Sequence, residues 1–395
     1  MRGRDDQRLM RGLTIAQIAL AMILLTTGGL LIRSFRALLA VDPGFRPERV
    51  LTFQLELPMG SGMPYAAQTP RDVFFATLLE RIKGLPGVSG ATLASAPSLE
   101  EEPAAFSFPL PRASEGQAVR ANFQLVSGDY FAILGIPIVA GRTFGPSDLR
   151  SVPRVAVVSA SLARVAWGGR GAIGQHITVR SGEQADVVGV AADARTGGLS
   201  ADAARTVYVP TSQWTFNFMT LLVKTRTEPT ALVPQMRGIV REMDSALPLH
   251  HVRTMEAMVA GSVSQQRFQT LLVSAFSVLM VTLAVVGTYG VTAHGVSERT
   301  NELGIRSALG ATGSDIRRLL LREGWRLTVI GLAIGAALTA ALSRSLTRFV
   351  FHISTLDLPT FVIAPALLAV ATLLATFIPT HRAARVDPME ALRSE

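Results

Sequence analysis

The sequence contains no cysteine and only two lysines, Lys83 and Lys224. Without cysteine the chain can form neither a disulfide nor a thiolate metal site, so its soluble part must rely on an apolar core. The phosphate-binding pattern G-x-x-x-x-G-K-[ST] is also missing, because neither lysine follows a glycine. If the chain takes part in an ATP-driven process, a partner therefore has to bind the nucleotide.

The sequence also lacks the patterns of a catalytic or nucleic-acid-binding protein. The net charge of +9 comes mainly from arginine, which lies beside apolar stretches rather than in basic runs interleaved with aromatic residues. Its three histidines between residues 170 and 260 show no H-E-x-x-H spacing, and no G-x-S-x-G elbow occurs. We therefore predict a protein without catalytic, cofactor or metal sites and without a nucleic-acid partner.

Four long apolar stretches dominate the rest of the chain, in which 49% of residues are hydrophobic and the mean hydropathy is +0.35. They cover residues 13–32, 268–291, 327–345 and 360–379. At a rise of about 1.5 Å per residue, helices of this length cross or nearly cross a hydrocarbon layer about 30 Å thick. The sequence thus predicts an integral membrane α-helical protein with four transmembrane helices.

Arginine marks one side of these predicted spans. It is frequent before the first span, between the second and third, and after the fourth, whereas the segment 343–360 around the third-span exit holds only Arg344 and Arg348. Because arginine is enriched in cytoplasmic loops, we predict that residues 1–12, 292–326 and 380–395 are cytoplasmic and that 33–267 and 346–359 are outside. A cleaved signal peptide is the alternative for residues 13–32, but this stretch is long, has no A-x-A site at its end and continues directly into Arg33.

The large external segment, 33–267, contains two similar strand–helix–strand patterns, each with a proline at the helix exit. Their elements are predicted at Leu51–Leu57, Arg71–Lys83, Val88–Ala94, Met219–Lys224, Ala231–Met243 and His250–Arg253. The residues between them, about 96–217, hold short β-rich runs separated by glycine, namely Val155–Ser159, Gln175–Val179, Asp186–Val190 and Thr206–Val209. We therefore predict an extracytoplasmic α/β domain made of a split βαβ subdomain and a β-rich insert.

The predicted cytoplasmic loop carries the most specific pattern of the chain, E-R-x-x-E-L-G-I-R-x-A-L-G-A at Glu298–Ala311. Ile305 and Leu309 are four residues apart and share one helix face, while charged residues recur at the same spacing on another face. Gly310 is expected to end this helix and Ser314 to cap the next one. The pattern predicts a short amphipathic helix, a sharp turn and a return into the membrane.

This loop resembles that of MacB/FtsX-type ABC transporter permeases. The resemblance extends to Val41–Phe45, to the segment from Tyr130 to Arg142 and to the tail from Arg382 to Arg393, so it covers essentially the whole chain. Among subtypes the chain is similar to one half of the duplicated acidobacterial-type permeases. The resemblance implies an ATPase-coupling role for Glu298, Arg299, Glu302, Leu303, Gly304, Ile305, Arg306, Leu309 and Gly310.

The family resemblance also implies how such a chain works. It implies a permease subunit in the bacterial cytoplasmic (inner) membrane that acts as a homodimer or beside a paired permease half. A cytoplasmic ABC ATPase subunit would drive motion of the MacB-like periplasmic domain, with a periplasmic adaptor or substrate as a further partner and membrane lipid around the spans. The alternative is a membrane-anchored sensor or scaffold whose outer domain binds a peptide, a lipid or a cell-wall factor.

Small residues form a stripe on the predicted third span. Gly331 and Gly335 are four residues apart, and Thr339 continues the same face. Such a stripe allows two helix backbones to approach closely. The partner helix is predicted to come either from the same chain or from a second copy.

Overall fold

The computed structural model describes residues 2–60, 62–95, 105–109, 118–149, 153–168, 171–179, 182–298, 312–346 and 357–383. The chain divides into two compact units. The helical unit consists of Met1–Ala40 and Gln265–Glu395, and the α/β unit consists of Val41–Ser264.

The described helices are α1 Arg2–Leu39, α2 Gln68–Lys83, α3 Tyr130–Leu134, α4 Ala160–Trp167, α5 Val233–Met243, α6 Met255–Ser262, α7 Ser264–Glu298, α8 Gly313–Leu346 and α9 Leu358–Ala383. The described strands are β1 Val50–Glu56, β2 Val88–Ala94, β3 Ala105–Pro109, β4 Ala118–Val126, β5 Ile138–Gly141, β6 Val155–Ser159, β7 His176–Thr178, β8 Gln184–Ala191, β9 Thr206–Pro210, β10 Phe218–Thr225 and β11 His250–Thr254.

The helical unit contains α1, α7, α8 and α9, the four described helices that are long and apolar enough to cross a membrane. Their shared core includes Ile18 and Met22 of α1, Ala284 of α7 and Leu368 of α9. Many large apolar side chains point away from this core, among them Phe268, which is 65% exposed. Apolar residues on both faces are typical of helices surrounded by lipid. The prediction of four membrane helices is confirmed.

The α/β unit begins and ends with the two predicted βαβ patterns, and the structure interlocks them. The sheet order is β11-β1-β10-β2, and every neighbouring pair in this part is antiparallel. As a result β1 and β2 run parallel with β10 between them. Helices α2 and α5 contact each other, and their apolar residues join one core against the sheet. This arrangement confirms the predicted split βαβ subdomain.

The insert continues the same sheet. Strand β4 joins β2 through the pair Ala94 and Val126, and β9, β6, β8 and β5 follow in that order. The pairs β4–β9 and β6–β8 are parallel, whereas β3 and β7 pair antiparallel with β4 and β8. All five residues of β6 are buried, as expected for a strand inside a two-faced core.

A second core, distinct from the one beneath α2 and α5, lies beside α3. Tyr130 and Phe131 of α3 make ring contacts with Tyr208 of β9 at centroid distances of 6.0 and 5.1 Å. Gly135 ends α3 with φ of 65°, a left-handed conformation that suits glycine at a helix end. The segment from Tyr130 to Arg142 therefore forms part of the packed interior of the α/β unit.

Candidate energy-coupling site in the helical unit

Two ion pairs connect α1 with the helices that follow it in the unit. Arg11 donates to Glu323 on α8, and Arg33 donates to Asp357, the residue before α9. At about 1.5 Å of rise per residue the two arginines lie about 33 Å apart along α1. Since a hydrocarbon core is about 30 Å thick, each ion pair lies near one boundary of the membrane. We call them the Arg11 end and the Arg33 end.

At the Arg33 end, Asp357 has a second role as the cap of α9. Its Oδ2 atom accepts hydrogen bonds from the Thr360 hydroxyl at 2.6 Å and from the Thr360 backbone nitrogen at 3.1 Å. The hydrogen bond from the Thr360 hydroxyl is the main reason that the pKa of Asp357 lies below its ordinary value. One carboxylate thus fixes the first turn of α9 and holds α1 beside it.

Along the middle of the membrane, α8 packs against α1 through the glycine seam, defined as Gly331 and Gly335. A Cβ atom on Gly331 would lie 2.7 Å from the Cβ atom of Ile18, and one on Gly335 would lie 2.7 Å from the Cβ atom of Met22. Real Cβ contacts are not this short, so no larger side chain fits without moving a helix. The seam therefore faces α1 of the same chain.

A second close contact joins α1 and α7. Ser277 donates a hydrogen bond of 2.8 Å from its hydroxyl to the carbonyl oxygen of Leu24. Gly28 lies one helical turn after Leu24, and a Cβ atom added to it would be only 3.0 Å from the Ser277 hydroxyl. Further along, a Cβ atom on Gly287 would come within 2.2 Å of the amide oxygen of Gln17. Helix α1 is thus held on one side by α8 and on another by α7.

Helix α8 begins with a well-defined cap at the Arg11 end. The Asp315 carboxylate accepts hydrogen bonds from the Thr312 backbone nitrogen at 3.0 Å and the Thr312 hydroxyl at 2.6 Å. These bonds, led by the one from the hydroxyl, lower the pKa of Asp315. The cap of α8 is therefore Thr312 and not Ser314, because the helix already begins at Gly313. The acidic residue reaches back to the cap as in a capping box.

The predicted coupling residues follow α7 directly. Glu298 is the last residue of α7, and its carboxylate lies 3.2 Å from the imidazole of His294. Residues 299–311, which include Arg299, Glu302, Leu303, Gly304, Ile305, Arg306, Leu309 and Gly310, lie outside the described residues. The structure therefore fixes both ends of this loop, Glu298 and Thr312. Between α1, α7 and α8 at the same end lies a small cavity of about 50 Å³, lined partly by Arg11, His294 and Glu323.

Two domain families account for both units. Residues 12–239 match the family model of the MacB-like periplasmic core domain, and residues 274–388 match that of the FtsX-like permease C-terminal domain. The chain belongs to the MacB/FtsX family of ABC transporter permeases. In the part of this permease that the structure describes, no group of three or more histidine or acidic residues is placed to hold a metal ion.

Relatives of this MacB/FtsX permease differ in the share of their own length that matches this chain. The uncharacterized ABC transporter permease YknZ of Bacillus subtilis is 25% identical over 337 residues, which cover 83% of this chain and 82% of YknZ. The macrolide export ATP-binding/permease protein MacB 2 of Aeromonas hydrophila is 27% identical over 279 residues, which cover 68% of this chain and 43% of MacB 2. The permease thus spans most of YknZ but less than half of MacB 2.

Among solved structures, the periplasmic region of MacB from Actinobacillus actinomycetemcomitans matches 56% of this chain and 95% of its own, at 10% identity and a TM-score of 0.38.

Sequence patterns missed the two ion pairs of this MacB/FtsX permease. Arg11 and Arg33 stand out as charges flanking the first span, but Glu323 and Asp357 are more than 300 residues away from them. An arginine and an acidic residue that each lie at a span boundary are a weak signal for such a pair. Which arginine meets which carboxylate depends on the order in which the helices pack.

Proposed function

We propose that this chain is the permease subunit of an export or mechanotransmission system. In this proposal a separate cytoplasmic ATPase docks on the loop that begins at Glu298 and moves the α/β unit on the other side of the membrane. The observation that carries the proposal is the contact of α8, the helix after this loop, with α1, the helix that leads along the chain into the α/β unit. The glycine seam and the ion pair between Arg11 and Glu323 form this contact.

The packing of α8 on α1 supports a mechanical role. At the glycine seam the two helices touch without space for a side chain, and at the Arg11 end a charge pair joins them. Densely packed helices shift as bodies between discrete arrangements rather than deforming continuously. A displacement of the loop would therefore reach α8 first and α1 with it.

The remaining parts of the proposal concern compartment and partners. The arginine-rich Arg11 end is assigned to the cytoplasm and the α/β unit to the space outside the cytoplasmic membrane. The permease is proposed to work as a homodimer or with a paired permease half, as the family resemblance implies. Because the sequence has no G-x-x-x-x-G-K-[ST] motif, ATP binding and hydrolysis belong to the ATPase partner.

Replacement of Ile305 by aspartate tests the docking step. If the loop is an amphipathic helix seated in an ATPase groove, a charge at its apolar anchor should abolish docking while membrane insertion stays intact. The matched control is Glu302→Ala, for which we expect little effect because an exposed ion pair contributes only about 0–1 kcal/mol. Co-elution of the ATPase with the purified permease and nucleotide-dependent motion of the α/β unit are the two measurements.

Motion can be followed in this cysteine-free chain with a spin label at Ser200→Cys, an exposed position in the α/β unit. In the paired complex, ATP should change the distance between the two labels for wild type and for Glu302→Ala, but not for Ile305→Asp. If Ile305→Asp keeps both ATPase co-elution and the distance change, the loop is only a connector. The sensor or scaffold alternative would then be favoured.

A further inference from the structure

The helical unit contains a lateral groove that the proposed coupling does not use. It lies between α1, α7 and α9 and has a volume of about 510 Å³, within the range of about 300–1,000 Å³ that small-molecule sites occupy. Its lining residues include Leu25, Gly28, Gly29, Arg33, Arg36 and Ile363. Apart from the arginines these side chains are apolar or small.

The groove extends along α1 from Leu25 to Arg36. At about 1.5 Å of rise per residue this is about 16 Å. A hydrocarbon core about 30 Å thick has leaflets about half as thick, so the groove spans one leaflet. The leaflet is the one on the side of the ion pair between Arg33 and Asp357. An acyl chain inserted from that leaflet would match the groove in length and polarity.

The floor of the groove is made by glycine. Gly28 and Gly29 allow α7 and α9 to approach α1, and an added Cβ atom would lie 3.0 Å from the Ser277 hydroxyl or 2.8 Å from the Thr360 methyl group. The groove walls are therefore set by tight helix contacts at its base. Ile363 stands at the rim and is 63% exposed in the described chain, which leaves an apolar surface open towards the lipid.

The mouth of the groove carries uncompensated positive charge. Arg33 is paired with Asp357, whereas Arg36, one turn further along α1, forms no ion pair with a residue that the structure describes. Two arginines against one aspartate leave one positive charge where an acyl chain would join its headgroup. An arginine near the membrane surface favours anionic over zwitterionic lipid headgroups.

We propose that this groove binds one anionic phospholipid of the Arg33-side leaflet, with an acyl chain between α1, α7 and α9 and its phosphate-containing headgroup at Arg36. The inference requires the four helices to span a membrane but does not depend on ATPase docking. It can therefore fail or succeed separately from the proposed function.

The experiment is native mass spectrometry of the full-length permease released from detergent. Two phospholipid probes with identical acyl chains are compared, 1-palmitoyl-2-oleoyl phosphatidylglycerol and the corresponding phosphatidylcholine. Wild type should retain the phosphatidylglycerol preferentially. Arg36→Gln should lower this preference about fivefold, the effect of losing one surface arginine. The matched control, Arg8→Gln, removes an exposed arginine at the opposite end of α1 and should leave the preference unchanged.

A second pair of variants tests the acyl-chain part of the site. Ile363→Trp fills the groove and should abolish the tightly held lipid, while Val370→Trp, a similarly exposed position two turns along α9, should not. Equal retention of both probes by wild type, or equal loss with both tryptophan variants, overturns the proposal. A lower dimer fraction for Ile363→Trp, without a lipid adduct on wild type, also overturns it, because a second copy would then occupy the groove.

Discussion

Among single residues, Asp148 of the α/β unit shows how one buried carboxylate can fix a loop. Its side chain is 5% exposed and accepts two hydrogen bonds from the Arg142 guanidinium, at 2.6 and 2.8 Å, and one of 2.8 Å from the Gly145 backbone nitrogen. The bonds from Arg142 are the main cause that lowers the pKa of Asp148 below its ordinary value. Ser212 adds a hydrogen bond to the Asp148 carbonyl oxygen.

A lowered pKa gives this interaction a definite pH dependence. The folded protein holds the Asp148 proton less tightly than the unfolded chain does, so the stabilisation is present above the unfolded pKa of about 4. It is lost as the pH falls through that value towards the lower pKa of the folded state.

We predict that Asp148→Asn lowers the unfolding free energy of the α/β unit by about 1–3 kcal/mol at neutral pH, the usual cost of losing a buried charge-assisted hydrogen bond. The difference from wild type should shrink below about pH 4. Urea unfolding followed by tryptophan fluorescence measures both. Asp129→Asn is the control, because Asp129 is 57% exposed in its ion pair with Lys83 and should contribute at most about 1 kcal/mol.

Of the ion pair between Arg142 and Asp148, the sequence singles out only Arg142. Arg142 belongs to a segment that resembles the family, but Asp148 lies in an unremarkable run of proline, serine and aspartate. Its burial results from the loop folding back over its own carboxylate, which requires Gly145 and Ser212 to be in place. Such an arrangement has no periodicity that a single sequence could reveal.

Among the elements, α1 is the one to which every other membrane helix is attached. It meets α8 at the glycine seam, α7 at Ser277 and α9 through Arg33. The four apolar runs predict these helices well, because length and composition alone decide whether a helix can span lipid. The identity of the central helix was not predictable, since all four runs have similar composition.

In the α/β unit the sequence predicts most of the described strands but misses three strands of the insert. Strands β6 to β9 and the six elements of the two βαβ patterns are present as predicted. Strands β3, β4 and β5 were missed. Residues 119–125 of β4 alternate apolar and polar side chains, so this strand was open to prediction, whereas β5 has only four residues. A strand as short as β5 depends on its tertiary partners, which the local sequence pattern does not contain.

The glycine seam supports an element-scale prediction. Gly331→Leu should push α8 away from α1 and lower the stability of the permease by about 1–3 kcal/mol, the usual effect of overpacking. Gly290→Leu is the matched control, because Gly290 is also in a membrane helix but has nothing within 4 Å of an added Cβ atom. The melting temperature of the detergent-purified protein is the measurement. Equal melting temperatures for the two variants would mean that α1 and α8 are not in contact at this position.

For the whole molecule, the proposed orientation is argued from the charges at the two ends of α1. The Arg11 end carries Arg8 and Arg11 of α1 together with Arg317, Arg318 and Arg322 of the first turns of α8. On α1 the Arg33 end has only Arg33 and Arg36, and Asp357 neutralises one of them. The excess of arginine at the Arg11 end is the basis for assigning that end to the cytoplasm. In the proposed function the same assignment has the α/β unit outside.

We therefore predict that single cysteines at Ser200 and Ser314 react differently with a membrane-impermeant thiol reagent. Both positions are exposed, and the chain has no cysteine of its own to interfere. In intact cells made permeable only at an outer membrane, the cysteine at Ser200 in the α/β unit should be labelled. The cysteine at Ser314 in the first turn of α8 should react only after detergent has opened the cytoplasmic membrane. The labelling seen with detergent is also the control that this cysteine is reactive. Labelling at position 314 before detergent is added would show that the orientation is the opposite of the proposed one. The ATPase would then have no access to the loop that begins at Glu298, and the proposed coupling would be excluded together with the topology.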